Sequence, residues 1–117
     1  MALPRAQRIR RTAEYGAVRT SGKSWTGRFL ILAILPLPRE TACRFGFTTT
    51  RRLGNAVARN KLRRRFSAIV ASLTGEFQTP PHLVVTIPRL NAVGAEFEEL
   101  KAEWIKLARR AKLLSAA

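Results

Sequence analysis

The chain has 117 residues, 22 of them Lys or Arg against 7 acidic, for a net charge of +15 and a pI near 11.9. With 46% hydrophobic residues it can bury one core, which excludes a disordered basic tail and fits a single domain, residues 1–117. Its single cysteine, Cys43, excludes an internal disulfide and a cysteine-based zinc site, and suits a reducing cytosol in which Cys43 is a small buried residue.

The elements in chain order are short. Residues 1–11, carrying Arg5, Arg8, Arg10 and Arg11, read as a mobile basic arm. This arm lacks the apolar stretch that a secretory signal needs next, and a transit peptide is the minor alternative. Thr12 is placed to cap a short helix to about Thr20, with Glu14 in its favourable first turn. Gly22 and Ser24 break that helix. Arg28 to Leu35 predicts a buried strand, and its apolar run falls far short of the ~20 residues that cross a bilayer. Pro36, Pro38 and Glu40 make a turn, and Cys43 to Thr50 predicts a second strand pairing with the first as a hairpin.

Along that second strand the side chains alternate. Phe45, Phe47 and Thr49 point toward covering helices. Gly46, Thr48 and Thr50 form a face of small and hydroxyl-bearing residues that an extended ligand can approach closely. A solvated sheet face is the plain alternative. Tyr15, on the first helix, either offers such a ligand a base-stacking ring or packs in the core.

A helix over about 55–73 follows, because Ala58, Leu62, Phe66, Ile69 and Leu73 recur at three- and four-residue steps. Gly54 and Asn55 occupy its N-terminal cap region. A loop with Gly75, Pro80 and Pro81 leads to a third strand, His82 to Ile87, which Pro88 ends. The closing helix, about 95–114, buries a stripe of Phe97, Leu100, Trp104, Leu107, Ala108, Ala111 and Leu114. Glu96, Glu98 and Glu99 at its start and Arg109, Arg110 and Lys112 at its end suit its dipole. The order is α-β-β-α-β-α.

The charge is lopsided. Residues 1–65 hold 16 Lys and Arg against Glu14 and Glu40, a net +14, whereas residues 66–117 carry a net +1. Arginine accounts for 17 of the 22 basic residues, and its planar fork grips phosphate and stacks on bases better than lysine does. The block 51–65 concentrates this charge in Arg51, Arg52, Arg59, Lys61, Arg63, Arg64 and Arg65, with no acid among them. Like charges one helical turn apart repel by roughly 0.2–0.5 kcal/mol per pair, a term that a polyanion across the face would reverse. Nucleic acid is the most economical partner, and the arginine bias favours structured RNA.

Catalysis by the polypeptide finds no support. There is no Asp, so the acidic clusters that hold paired magnesium ions in protein nucleases are missing. The lone His82 has no cysteine or carboxylate near it in sequence. Four of the Glu residues, 96, 98, 99 and 103, are explained by a helix start and by solvation. No nucleophile elbow or phosphate-cradling glycine loop occurs.

The run Thr48-Thr49-Thr50-Arg51-Arg52-Leu53-Gly54-Asn55-Ala56-Val57-Ala58-Arg59-Asn60-Lys61-Leu62-Arg63-Arg64 resembles the signature of the bacterial ribonuclease P protein component. The basic Leu3-Pro4-Arg5 start, Tyr15, the apolar first strand, Arg44 and Gly46, the third strand and the closing helix follow in family order. The resemblance implies an α+β two-layer sandwich of αββαβα order with a small mixed sheet. It also implies a left-handed β-α-β crossover, an exception to the usual hand, of the kind seen in the second domain of a small-subunit ribosomal protein. It further implies a bacterial cytoplasmic enzyme in which a catalytic RNA subunit, requiring Mg2+, hydrolyses precursor tRNA and releases its 5′ leader. The protein binds that RNA and the leader, with no catalytic residue, metal or cofactor of its own, no membrane and no obligate protein partner.

By motif, Arg51, Arg52, Asn55, Arg59, Asn60, Lys61, Arg63 and Arg64 would face the catalytic RNA, while Tyr15, Arg19, Thr48, Thr50, Arg52 and Arg89 would line the leader cleft. The chain departs from the family pattern in four places. Lys61 stands for a second Arg, Ser67 ends the basic face a turn early, Arg19 takes a position often aromatic, and Pro88-Arg89-Leu90 replaces a more usual Ala-Arg-Pro. A ribosomal or other structural-RNA-binding protein without a processing role is the alternative. A DNA-binding module reading a major groove through the basic helix is another.

Overall fold

A computed structural model describes residues 3–40 and 42–115. Its elements are α1 (Thr12–Ser21), β1 (Lys23–Thr26), β2 (Leu30–Pro36), β3 (Arg44–Phe47), α2 (Ala56–Ala71), β4 (His82–Pro88) and α3 (Phe97–Arg110), with short 3-10 turns at Arg5–Gln7, Arg51–Leu53 and Leu90–Ala92. The four strands form one sheet in the order β1-β2-β4-β3. The β1–β2 and β2–β4 pairs are antiparallel and β3–β4 is parallel, so the sheet is mixed and α2 lies in the crossover that joins its parallel pair.

Two expectations about the sheet change. The hairpin between the first two expected strands does not form, because β4 takes the place between β2 and β3. The reason is burial: β2 and β4 are the long strands, apolar on both faces, and the centre of a sheet is where such strands belong. The short β3 is left at an edge. The second change is an extra strand, β1, where Gly22 and Ser24 suggested only a break. Trp25 alone of its four residues is partly buried, so no apolar pattern announced it. Gly22 is needed there because a Cβ would sit 2.5 Å from the carbonyl oxygens of both Ile34 and Val18.

The stretch expected to be a mobile arm is anchored at Leu3 and Ile9, with Arg5, Arg8, Arg10 and Arg11 exposed; residues 1 and 2 lie outside the described residues. Leu3 is buried in the main core, Arg8 bridges to Phe45, and the Ile9 N–H donates to the Phe45 carbonyl at 2.9 Å. The segment thus covers part of the free edge of β3, which would otherwise invite pairing with another chain.

Because strand side chains alternate, the sheet has two different faces. On one, Leu30, Leu32, Ile34, Phe45 and Val84 meet Leu62, Phe66, Ile69 and Val70 of α2 and Leu100, Trp104, Leu107 and Ala108 of α3. Each large side chain so buried contributes about 1.5–3 kcal/mol. Trp104 donates its indole N–H to the Thr86 hydroxyl at 2.9 Å, pairing the two polar groups that would otherwise be stranded in this core. The expected stripe of the closing helix is core, with Phe97 partly buried at its rim. On the other face Ile9, Ala33, Leu83 and Val85 meet only α1, through Val18 and the partly buried Tyr15. The sheet with α2 and α3 makes the two expected layers, and α1 adds a partial third.

Glu103 does more than complement a helix start. Its carboxylate accepts the backbone N–H groups of Arg28, Phe29 and Leu30 at 2.7, 2.5 and 3.2 Å, fastening the β1–β2 turn to α3. Glu96 caps α3, and with Glu99 it forms a reciprocal capping box.

Candidate nucleic-acid interface

The basic block leaves the sheet through a tight local device. After Thr50 the chain makes the Arg51–Leu53 turn, which buried Leu53 pins to the core while Arg51 and Arg52 stay exposed. Gly54 adopts φ 123°, a conformation that a side chain would strain. The Asn55 side chain then accepts the Ala58 N–H at 2.9 Å and caps α2 as the sequence suggested.

The first turns of α2 project Asn55, Asn60, Lys61 and Arg64 into solvent, with Arg59 and Arg63 half-buried. Arg63 donates to the side-chain oxygens of both Asn60 and Thr49, so its guanidinium is held past the end of β3 by neutral acceptors, with no carboxylate between them. The buried Arg59 Nε has no hydrogen-bond partner. Among the described residues the ion pairs all involve Arg44, leaving the charge of α2 unneutralised. Arg65 is the exception in role: it donates to the Ala95 carbonyl at 2.9 Å and ties α2 to the approach to α3.

On the open face of the sheet, α1 covers only part of the strands and leaves a groove of about 530 Å³. Tyr15, Arg19 and Thr48 line it, over a floor that includes Ile31, Val85 and Ile87. The Tyr15 ring lies over Gly46, where a Cβ would come within 2.4 Å of the phenol oxygen. Gly46 is therefore required by the ring and not by a turn. Beside it, Arg44 pairs with Glu14 at 2.5 Å and Glu40 at 3.1 Å, clamping α1 to β3 one residue from Tyr15. Burial pushes the Tyr15 phenol pKa upward, opposed by hydrogen bonding with the Phe47 backbone and reinforced by nearby Glu14. The ring is thus uncharged at neutral pH.

The structure brings together three of the six residues expected at a leader cleft. Thr50 and Arg52 lie past the end of β3, at the turn into α2. Arg89 follows β4 and donates to the Gly27 carbonyl at 2.9 Å, outside the lining of the groove. Phe47, expected to face the helices, packs on the main core and also borders the groove. The apolar floor of Ile31 and Ile87 was not foreseen, since β2 and β4 are apolar on both faces and show no alternation to assign their sides.

Cys43 is buried, as expected, and accepts the His82 backbone N–H at 3.3 Å. Burial pushes its thiol pKa upward, with that hydrogen bond opposing. His82 is half-buried at the start of β4, where burial holds its imidazole pKa below the ordinary value.

A family model described as Ribonuclease P matches residues 3–112. The ribonuclease P protein component of Chloroflexus aggregans is 39% identical over 111 residues, covering 95% of this chain and 82% of that protein. Its counterpart in Syntrophomonas wolfei is 33% identical over 113 residues, covering 97% and 93%. Among solved structures, the RNase P protein of Staphylococcus aureus superposes with a TM-score of 0.87 at 21% identity, covering 95% of this chain and all of that one. The Thermotoga maritima protein gives 0.79 at 22%, covering 88% and 96%. At these identities the two structures speak to the fold alone.

Proposed function

The chain belongs to the bacterial ribonuclease P protein family, and from that premise we propose that it divides two RNA ligands between two surfaces. As a ribonuclease P protein component it associates with the ribonuclease P RNA. The α2 surface of Arg51, Arg52, Asn55, Arg59, Asn60, Lys61, Arg63 and Arg64 is the side that meets this RNA. The groove under α1, with Tyr15, Arg19 and Thr48, receives the single-stranded 5′ leader of precursor tRNA. Thr50, Arg52 and Arg89 guide that strand at the groove's margins.

The observation that carries this reading is the groove itself. It combines a stacking ring held over Gly46, a hydroxyl-bearing strand end and a nearby guanidinium, with an apolar floor against which bases can lie. Hydrolysis belongs to the RNA and its Mg2+. The protein supplies counter-charge that allows two RNAs to approach, and it orients the leader relative to the cleavage site. This work takes place in the bacterial cytoplasm; among the described residues no helix is long and apolar enough to cross a membrane.

Thr48→Trp tests the assignment. It would fill the groove while pointing away from the helix-packed core. The holoenzyme should assemble normally, lose affinity for precursor tRNA carrying a leader, and bind mature tRNA as before. Equal losses for both ligands would return the groove to the status of scaffold. Cleavage by RNA-free protein would contradict the assignment of the chemistry to RNA, and co-purification with ribosomal subunits instead of one RNA of its own would favour the structural-RNA alternative.

A further inference from the structure

The groove under α1 does not end at the margin of the sheet. Gly22 and Lys23, at one end of it, also line a second depression of about 490 Å³. Trp25 borders this depression. In the β1–β2 ladder Trp25 stands opposite Leu32, and it packs against the α3-side core, so the depression opens on the other face of the sheet. Its wall is completed by Ile34, His82 and the end of α3 at Arg110 and Lys112.

Three cations from separate places in the chain meet here: Lys23 from β1, Arg110 from the last turn of α3, and Lys112 from beyond it. All three are exposed, and no carboxylate is among the lining residues. The helix dipole accounts for Arg110. It does not account for Lys23, which lies on another element. For Lys112 the dipole accounts for the charge but not for a side-chain-bearing residue at φ 63°, a left-handed position after a helix where glycine is usual. Trp25, half-buried, supplies an indole beside the cations. An aromatic platform flanked by positive charge is the arrangement that holds single-stranded nucleic acid without reading its sequence.

We infer that this depression is a second subsite for single-stranded RNA, continuous with the first groove across the Gly22–Lys23 edge, and that it takes leader nucleotides beyond those held at Tyr15 and Thr48. The inference rests on the assignment of the first groove to the leader. It makes leader recognition depend on length. A short leader ends within the first groove, and a long one crosses β1 and reaches Trp25, Arg110 and Lys112.

The test uses holoenzyme reconstituted with its catalytic RNA, and precursor tRNAs with leaders of about 4 and about 16 nucleotides, the range of single-stranded site sizes seen for one small fold. The variants are Lys112→Gly, Arg110→Gln and the two combined. Lys112→Gly places the favoured residue at the left-handed position, so it removes a charge without loss of thermal stability, which a melt verifies. With the long leader the double variant should bind several-fold more weakly, and the slope of log affinity against log salt should fall by about 0.7 per cation removed. Affinity for the short leader and for mature tRNA should hold. Because Trp104 is fully buried, a change in tryptophan emission on adding a single-stranded oligonucleotide reports Trp25, and it should require a higher oligonucleotide concentration in the double variant. Equal effects on both leaders, no effect on the long one, or weakened assembly with the catalytic RNA would each overturn the inference. Thr48→Trp measured with the short leader reports on the first groove separately, so the two assignments fail independently.

Discussion

The two faces of this sheet are built from the same strands and do opposite work. The face toward α2 and α3 carries Leu30, Leu32, Phe45 and Val84, and is sealed by two helices. The face toward α1 carries Ala33, Leu83 and Val85, with Ile31 and Ile87 on the groove floor, and one ten-residue helix cannot cover it. The shortfall is the groove. A binding surface here arises from a deficit of covering helix on one side, held open because the other side supplies the stability.

That division predicts that substitutions separate cleanly by face. The largest effect is expected at the sealed face. Trp104→Ala should cost about 3–5 kcal/mol of stability, read by urea unfolding, while the folded fraction still distinguishes precursor from mature tRNA. A cost below about 1 kcal/mol would mean that the seal is not where stability resides.

Next comes the open face. Tyr15→Ala should remove about 1–3 kcal/mol of binding to leader-bearing precursor with a smaller change in unfolding midpoint. Gly46→Ala should reproduce that loss without touching the ring chemically, since the new Cβ meets the phenol and drives Tyr15 from its seat. If Gly46→Ala binds precursor normally, the ring's position over Gly46 is unimportant for the leader.

A smaller effect is expected on α2. Arg64→Ala should weaken assembly with the catalytic RNA and flatten its salt slope by about 0.7–0.9, one phosphate contact. Arg63→Ala should do the same and also disturb precursor binding, because Arg63 is bonded to Thr49 next to the groove. Identical profiles for the two variants would cut the link between the surfaces.

The smallest effect is a pH dependence. Burial lowers the pKa of His82 in the folded chain below 6.5, with hydrogen bonding to the Pro80 backbone opposing. The unfolded chain therefore takes up the proton at a higher pH than the folded one. This contribution to stability is present above pH 6.5 and is lost as the pH falls through 6.5 toward the folded pKa. His82→Gln should remove that slope from unfolding midpoints measured between about pH 7 and 5.

How much of this was legible in the sequence depended on whether a signal was local. The capped basic helix was, because Gly54, Asn55 and the Leu62–Phe66–Ile69 spacing are written within a few residues of one another. The alternation of Phe45 and Gly46 likewise put the two on opposite faces, although it marked Gly46 as an open position and not as one covered by the Tyr15 ring. Sheet order was not legible, since pairing β3 with β4 depends on which strands are apolar on both faces and not on their proximity in sequence. The roles of Glu103 and Arg44 were hidden for a similar reason. Glu103 holds backbone 73–75 residues away, and Arg44 reaches Glu14 on a helix that sequence spacing cannot orient. Arg89 was expected in the cleft by motif, and its hydrogen bond to Gly27 depends on a β1–β2 turn that no apolar pattern marked.

The crossover has a consequence in time. In the order of synthesis, β1 and β2 can pair as soon as both have emerged, as neighbours joined by a short turn. The edge strand β3 has its partner β4 only after the whole of α2 and the Gly75–Pro81 loop have been made. Until then β3 has an unfilled side, and the charged helix beside it has no sheet to lie on. Parallel pairing across such a separation is slow to form because chain entropy is lost before any contact repays it. The Arg63–Thr49 bond, and with it the junction of the two RNA-binding surfaces, is therefore held on a completed sheet only once β4 has been made.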